Sequence, residues 1–359
     1  MASANRFDRS IQTLNSVYTG KSIKVGETVD QRIDFVIPWV DGQDPDWQRE
    51  KQHYSEQKAV EEDDREIRFR DWDTLKYWFR GVEKYTPWVG QIHFITWGHL
   101  PSWLNTEHPK LHIVNHKDYI PEQYLPTFSS HVIELNMHRI PGLSEHFVYF
   151  NDDIFILRPL SEKDFFINGT ACDLCAANVI TPRLEEFSSI LLQTTAYINK
   201  HFNKKTDIRK HFSKWFSPKY GKLLIRTLCL LPWTYHTGFY NHHLAVPYTK
   251  ELLERVWEEE PDVLYQTCSH RFRNDLDVNQ YIFRYWRLAS GDFVPHRSLG
   301  RYVNMGKDNT AVYDTIKKQK VKLYCINDKE TKLDFNREKE LLVQAFETVF
   351  PDKSSFERQ

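Results

Sequence analysis

Short apolar runs bounded by turn-forming residues recur along the first half of the chain, and each reads as a buried strand. The first, Ile33-Asp-Phe-Val-Ile37, ends at Pro38 and the cluster Asp41-Gly42-Gln43-Asp44-Pro45, which predicts a strand followed by a loop. Ile92-His-Phe-Ile-Thr96, Leu111-His-Ile-Val114 and Phe147-Val-Tyr-Phe150 repeat the pattern. Between them the period changes. Residues 50–64 are charged and helical in pattern. Leu75, Trp78, Phe79 and Val82 recur at helical spacing, with Asp71 or Asp73 placed to cap that helix, and residues 131–140 read as another helix. Strands alternating with helices predict an α/β protein.

Beyond this half the pattern loosens. Residues 160–233 accumulate basic side chains and read as an inserted helical region. A compact pattern returns at 235–260 and at 271–288, the latter an amphipathic helix with Val278, Tyr281, Ile282 and Tyr285 on one side. A strand at 322–326 and a helix at 339–350 close the chain. The expected division is a lead-in at 1–31, an α/β part at 32–160 and a helical basic insertion at 161–234. The rest of the α/β domain follows at 235–307, and a C-terminal strand and helix at 308–359.

Composition narrows the function classes. At 359 residues the chain can bury a large core, and 48 Lys plus Arg against 49 Asp plus Glu leave no overall field toward nucleic acid, so no nucleic-acid partner is expected. The five Cys are odd in number and dispersed, unlike a disulfide framework, and fit a reducing compartment. Cys172-Asp-Leu-Cys175 has no second pair near it and reads as two buried thiols. Residues 1–26 are polar, so no signal sequence is expected; the apolar stretch 223–233 is too short to span a membrane but suits a membrane surface.

Asp152 and Asp153, at the end of a buried strand, carry the most chemical information. Paired carboxylates suit Mg²⁺ or Mn²⁺, which share their shell with substrate phosphates, and ligands bind beyond the carboxyl ends of such strands. The same residue types also serve as turns and caps. His243, in Asn241-His242-His243-Leu-Ala-Val-Pro247, is a candidate proton acceptor, with His242 as its rival. Arg271-Phe272-Arg273, a few residues before Asp277 at the expected opening of the 271–288 helix, suits a phosphate, although it also suits a solvated turn paired with Asp275 and Asp277. Arg68, Arg70 and Arg139 allow the same two readings. Trp39, Asp41 and Gly42 follow the first strand, where a base or ribose sits in nucleotide-binding α/β domains. No GxGxxG or GxxxxGK[ST] occurs, so phosphate must be held by metal and arginine.

Four separated blocks resemble the four regions of the Stealth family of hexose-1-phosphate transferases. They are the 33–42 segment, the 68–153 stretch, the His243 segment and the Arg271-Phe-Arg273 segment. The second is the specific one, with Arg70-Asp-Trp-Asp-Thr-Leu-Lys-Tyr77, Leu125-Pro-Thr-Phe-Ser-Ser130 and His138-Arg-Ile-Pro-Gly-Leu-Ser144 leading to Asn151-Asp-Asp153. The resemblance implies a glycosyltransferase-A-like α/β core with a mainly helical insertion, a uridine diphosphate sugar donor, and Mg²⁺ or Mn²⁺. It also implies an oligosaccharide or lipid-linked glycan acceptor, and a cytoplasmic bacterial enzyme with peripheral membrane contact. Asp152, Asp153 and Asp277 would hold the metal, His243 would be the base, and Arg273 would neutralise the transferred phosphoryl group. Trp39, Asp41, Gly42 and Arg70 would lie on the nucleotide side, with Asp71 and Arg139 at further active-site positions. An ordinary glycosyltransferase releasing nucleoside diphosphate is the rival, and a non-catalytic carbohydrate-binding protein is the alternative from another class.

Overall fold

In β1 (Ile33–Pro38) alternate side chains part to opposite faces, as the two-residue repeat of a strand requires: Ile33, Phe35 and Ile37 enter one apolar cluster and Val36 another. A run buried on both faces needs helices on both sides of its sheet. The structure is a computed structural model that describes residues 32–55, 70–182, 187–328 and 333–358. The 1–31 lead-in, Arg68 and the end of the expected 50–64 helix lie outside the described residues.

Helix α1 (Pro45–Ser55) starts earlier than the charge pattern suggests, because Asp44 Oδ1 accepts from the Asp46 and Trp47 amides at 2.9 Å and caps it. Helix α2 (Leu75–Tyr85) buries the expected Leu75, Trp78, Phe79 and Val82. Neither Asp71 nor Asp73 caps it. Thr74 holds that position, and Asp73, at φ 57°, gives its own amide to Asp71 Oδ1 at 2.7 Å. β2 (Ile92–Thr96) and β3 (Leu111–Asn115) follow. Helix α3 (Ser130–Leu135) is shorter than the 131–140 reading, since Asn136 turns its side chain onto the Val132 carbonyl at 2.8 Å and the chain passes into a tight turn. Then come β4 (His146–Tyr149) and β5 (Ile154–Ile156).

The expected helical insertion opens with a hairpin, β6 (Phe166–Ile167) and β7 (Thr170–Asp173), before α4 (Phe187–His201), α5 (Lys204–Lys210), α6 (Phe212–Trp215) and α7 (Leu223–Cys229). β8 (Val246–Thr249), α8 (Lys250–Glu259) and α9 (Pro261–Ser269) rejoin the core. Helix α10 (Tyr281–Ser290) begins ten residues later than the 271–288 reading. Asn274 and Asp277 side chains accept the amides of Leu276 at 2.9 Å and Asn274 at 3.0 Å, which holds that stretch in turns. β9 (Val294–Pro295), β10 (Gly300–Asn304), α11 (Thr310–Lys317), β11 (Leu323–Asn327) and α12 (Phe335–Val349) complete the chain.

The main sheet has the order β3-β2-β1-β4-β8, parallel except for β8. Side chains of α2, α11 and α12 share the apolar cluster of one face; those of α3, α8, α9 and α10 share the other. A second sheet, β10-β11-β5, pairs β11 antiparallel to β5 and so ties the end of the chain to the segment just after β4.

Candidate active site

Strand direction gathers the site. β1 and β4 are parallel neighbours, so the residues after each emerge at one edge of the sheet; β8 runs the other way, so the residues before it arrive at that same edge. This places Trp39, Asp41 and Gly42, then Asn151, Asp152 and Asp153, then His243, around one cleft of about 870 Å³. That volume lies within the range of small-molecule sites, at the strand ends where α/β sheets bind ligands. Cys325 pairs with Ile154 across the second sheet and so stands beside Asp153.

Asp153 is a half-buried carboxylate of the cleft. Its Oδ2 accepts from Cys325 Sγ at 3.2 Å, while its Oδ1 is buried with no hydrogen-bond partner among the described residues. Burial pushes Asp153 up to about 7, with the charge of Asp152 adding to it. Asp152 lines the cleft, and the protein packed round it, together with the charge of Asp71, pushes it up to about 6. Asp153, His243 and Cys325 each offer a ligand atom within 4.8 Å of the others. An acidic pair with an orphaned buried oxygen fits a divalent cation: the charge that would satisfy it is one that no described side chain supplies.

His243 sits at φ 50°, a region non-glycine residues rarely occupy, and this turn carries its ring into the cleft. The ring lies 5.1 Å from that of Tyr302, and Nδ1 is 3.4 Å from the Tyr281 hydroxyl. Burial lowers it to about 4, so at neutral pH the imidazole is uncharged and free to accept a proton. His242 faces away. Its Nδ1 accepts the Leu244 amide at 3.1 Å, and its Nε2 lies 3.8 Å from Asp173 Oδ1. Asp173 is buried and bonds Arg284 Nη2 at 2.8 Å as well as Arg287, a network under the histidine turn that the sequence patterns did not reveal.

Arg273 is exposed in the cleft, its Nη2 donating to Ser130 Oγ at 2.8 Å. It lies in an irregular segment, so the expected help from a helix N-terminus is absent, and Arg271 turns to the Pro126 carbonyl at 2.9 Å instead. Asp277 is not placed as a metal ligand. It is fully buried outside the cleft, with Oδ1 accepting from His270 Nδ1 at 2.6 Å and Oδ2 from His131 Nδ1 at 2.9 Å and the Asn274 amide at 3.0 Å. These three bonds tie the loop that carries Arg273 to α3. Arg139 is likewise not in the cleft: exposed after α3, its guanidinium stacks 4.8 Å above the Trp257 ring.

Arg70 and Asp71 do line the cleft. Arg70 Nε pairs with Asp328 Oδ2 at 3.2 Å, and Asp328 also accepts from Trp72 Nε1 at 3.0 Å. Trp39 stacks on Phe94 with ring centroids 5.7 Å apart, and the Asp41 amide donates to His99 Nε2 at 2.7 Å. Tyr302, Cys325 and Asp328 belong to the cleft wall or touch it, and sequence reasoning missed them. A signal existed: Tyr324-Cys-Ile-Asn-Asp328 repeats the motif of an apolar strand ending in Asn-Asp already seen at Phe150-Asn-Asp152. Cys172 and Cys175 are buried free thiols, as expected, and burial pushes Cys172 up to about 11.

An α/β enzyme with an acidic pair, a neutral histidine and an arginine in one cleft is the class this arrangement defines. Residues 31–59 match Stealth protein CR1, conserved region 1, and residues 68–173 match Stealth protein CR2, conserved region 2. Capsular polysaccharide phosphotransferase WcwK of Streptococcus pneumoniae is 44% identical over 331 residues, covering 92% of this chain and 99% of its own. Exopolysaccharide phosphotransferase cps2G of Lactiplantibacillus plantarum is 38% identical over 329 residues, 91% of this chain and 96% of its own. Receptor polysaccharide phosphotransferase WefC of Streptococcus gordonii is 39% identical over 333 residues, 91% and 99%. The chain belongs to the Stealth family, and it is a transferase of the phosphotransferase kind.

Among solved structures, the galactosyltransferase LgtC matches with a TM-score of 0.37 and 9% identity, over 87% of this chain and 96% of that one. Mouse xyloside xylosyltransferase 1 matches at 0.34 and 11%, over 82% and 97%. Likeness at that level says nothing of substrate. The glycosyltransferase-A-like class rests on the sheet itself, parallel strands closed by antiparallel β8 with the acidic pair after β4. No helix among the described residues is long and apolar enough to cross a membrane.

Proposed function

We propose that the chain transfers a hexose-1-phosphate from a nucleotide sugar, a uridine diphosphate hexose or N-acetylhexosamine, to a glycan hydroxyl. The product is a phosphodiester in a capsular or cell-surface polysaccharide, made in the cytoplasm. The observation that carries this reading is the unsatisfied Asp153 carboxylate in one cleft with an uncharged His243 and an exposed Arg273. The relatives' names point the same way, being polysaccharide phosphotransferases.

Asp152 and Asp153 would hold Mg²⁺ or Mn²⁺, which when bound would neutralise charge on the donor's phosphates. Trp39 and Asp41, on the β1 side of the cleft, take the base and ribose, with Gly42 and Arg70, which line the same cleft, on the nucleotide side. His243 accepts the proton of the acceptor hydroxyl as its oxygen bonds to the β-phosphorus. The bond from that phosphorus to the bridging oxygen breaks, and uridine monophosphate leaves with the electron pair. Arg273 donates to the phosphoryl oxygens as charge spreads over them, the positioning and electrostatic role on which phosphoryl transfer depends. The anomeric carbon is never attacked, so the sugar keeps its configuration.

Incubation with Mg²⁺, a panel of uridine diphosphate sugars and an oligosaccharide acceptor tests this. Uridine monophosphate with a phosphodiester signal in phosphorus NMR is the expected result. Uridine diphosphate with phosphorus-free glycan would make the chain an ordinary glycosyltransferase.

A further inference from the structure

Of the thirteen large apolar side chains exposed among the described residues, five fall within one stretch of eleven: Ile225, Leu228, Leu231, Trp233 and Tyr235. They belong to α7 and the turn after it, and they are displayed by design of the backbone. Thr227 is buried and accepts the Ala177 amide at 3.0 Å, which fixes the inner face of α7. Lys204, 3% exposed, places its ammonium under the turn, donating to the carbonyls of Leu230 and, at 2.8 Å, Trp233. A buried ammonium spent on two turn carbonyls is a built support for a projection, whose opposite side is left apolar and open to solvent.

The charge around the projection says what covers it. Residues 200–235 contain nine Lys and Arg but a single acid, Asp207, which is bonded to His236 at 2.9 Å, although the chain as a whole carries −1. Lys222 and Lys219, the latter donating to the Pro295 carbonyl at 3.0 Å, are exposed immediately before α7. A second copy of this chain would set like charge against like. A bilayer with anionic headgroups meets both demands at once, since apolar and aromatic side chains enter the boundary of headgroups and acyl chains while lysines pair with phosphate. Trp and Tyr are the aromatics favoured at that depth. The projection also adjoins the cleft: Arg226, next to Ile225, lines it, as do Phe187 and Ile190 of α4.

We propose that residues 222–235 dock the protein on an anionic bilayer surface, with Ile225, Leu228, Leu231, Trp233 and Tyr235 inserted and Lys219 and Lys222 against the headgroups. The cleft then opens at the membrane, where an acceptor carried on a lipid is held. The docking stands without the phosphotransfer reading; only the lipid-carried acceptor rests on it.

Flotation of the full chain with vesicles of phosphatidylcholine alone, or with about one-third phosphatidylglycerol, tests the docking. The chain should float with the anionic vesicles, less so as salt rises, and not with phosphatidylcholine alone. The variant Ile225→Ser/Leu228→Ser/Trp233→Ser alters solvent-facing positions, so its melting temperature should hold while vesicle affinity falls at least about tenfold. Turnover on a water-soluble acceptor should be unchanged in this variant, and turnover on a vesicle-borne lipid-linked acceptor reduced. Absence of flotation, or flotation that the triple variant retains, overturns the proposal. So does a dimer in light scattering that the triple variant dissolves, which would make the patch a protein interface. Salt-sensitive flotation with no turnover on either acceptor would instead overturn the phosphotransfer reading and leave the docking intact.

Discussion

Asp153→Asn should stabilise the metal-free protein while removing its response to divalent cations. The Asp153 carboxyl rises from 3.8 to about 7 because it is buried beside Asp152. A folded-state value above the unfolded one means that the native chain holds a proton the unfolded chain has released. Stability therefore falls as pH rises from about 4 to about 7, and the full penalty applies above that. A rise of that size corresponds to roughly 4 kcal/mol, at about 1.4 kcal/mol for each tenfold change in proton affinity. That is a ceiling, because the group borders a water-filled cleft and Asp152 titrates in the same range; about 2 kcal/mol is the working figure. Asparagine keeps the shape without the charge. In EDTA at pH 8, thermal unfolding of the variant should lie about 4 °C above that of the unaltered chain, at about 2 °C per kcal/mol for a chain of this size. The gap should shrink to less than about half at pH 5. Mn²⁺ should raise the unfolding temperature of the unaltered chain at pH 8 and leave the variant unmoved. A variant less stable than the unaltered chain at pH 8 in EDTA would refute the reasoning, since it would mean that the carboxylate is held by favourable partners.

Three other perturbations separate the proposed roles. His243→Ala should lower turnover by about 10²- to 10⁴-fold while donor affinity, read by calorimetry, is kept; unchanged turnover would remove His243 as the base. Arg273→Lys should also lose most activity in the nucleotide-release assay, because an ammonium cannot reproduce the guanidinium fork, and a near-normal rate would place Arg273 outside the phosphoryl contacts. Asp173→Asn should cost about 3–5 kcal/mol in urea unfolding, since it leaves two buried arginines without their counter-charge; a loss under about 1 kcal/mol would mean that water reaches Arg284 and Arg287.

What the sequence by itself determined is everything written at short range. β1, β2 and β3 and the apolar face of α2 stand where the pattern puts them, because a strand or a helix buried in a core must show its period locally. The acidic pair at the end of β4 is legible for the same reason. One departure from the pattern is also local in form: α10 is shorter than its periodicity predicts because Asn274 and Asp277 capture amides that a helix would have used. Only the tertiary structure decided what each polar group does. Asp153 and Asp277 are both acids that the sequence offers as metal ligands. Asp277 is satisfied by His131, 146 residues away, and drops out of the site; Asp153 meets Cys325, 172 residues away, and is left with one oxygen unclaimed. His242 and His243 are neighbours, yet the positive φ of one sends them to opposite sides, toward buried Asp173 and toward the cleft. Periodicity is a property of neighbours in sequence, whereas the satisfaction of a buried charge depends on partners that only the folded sheet brings within reach.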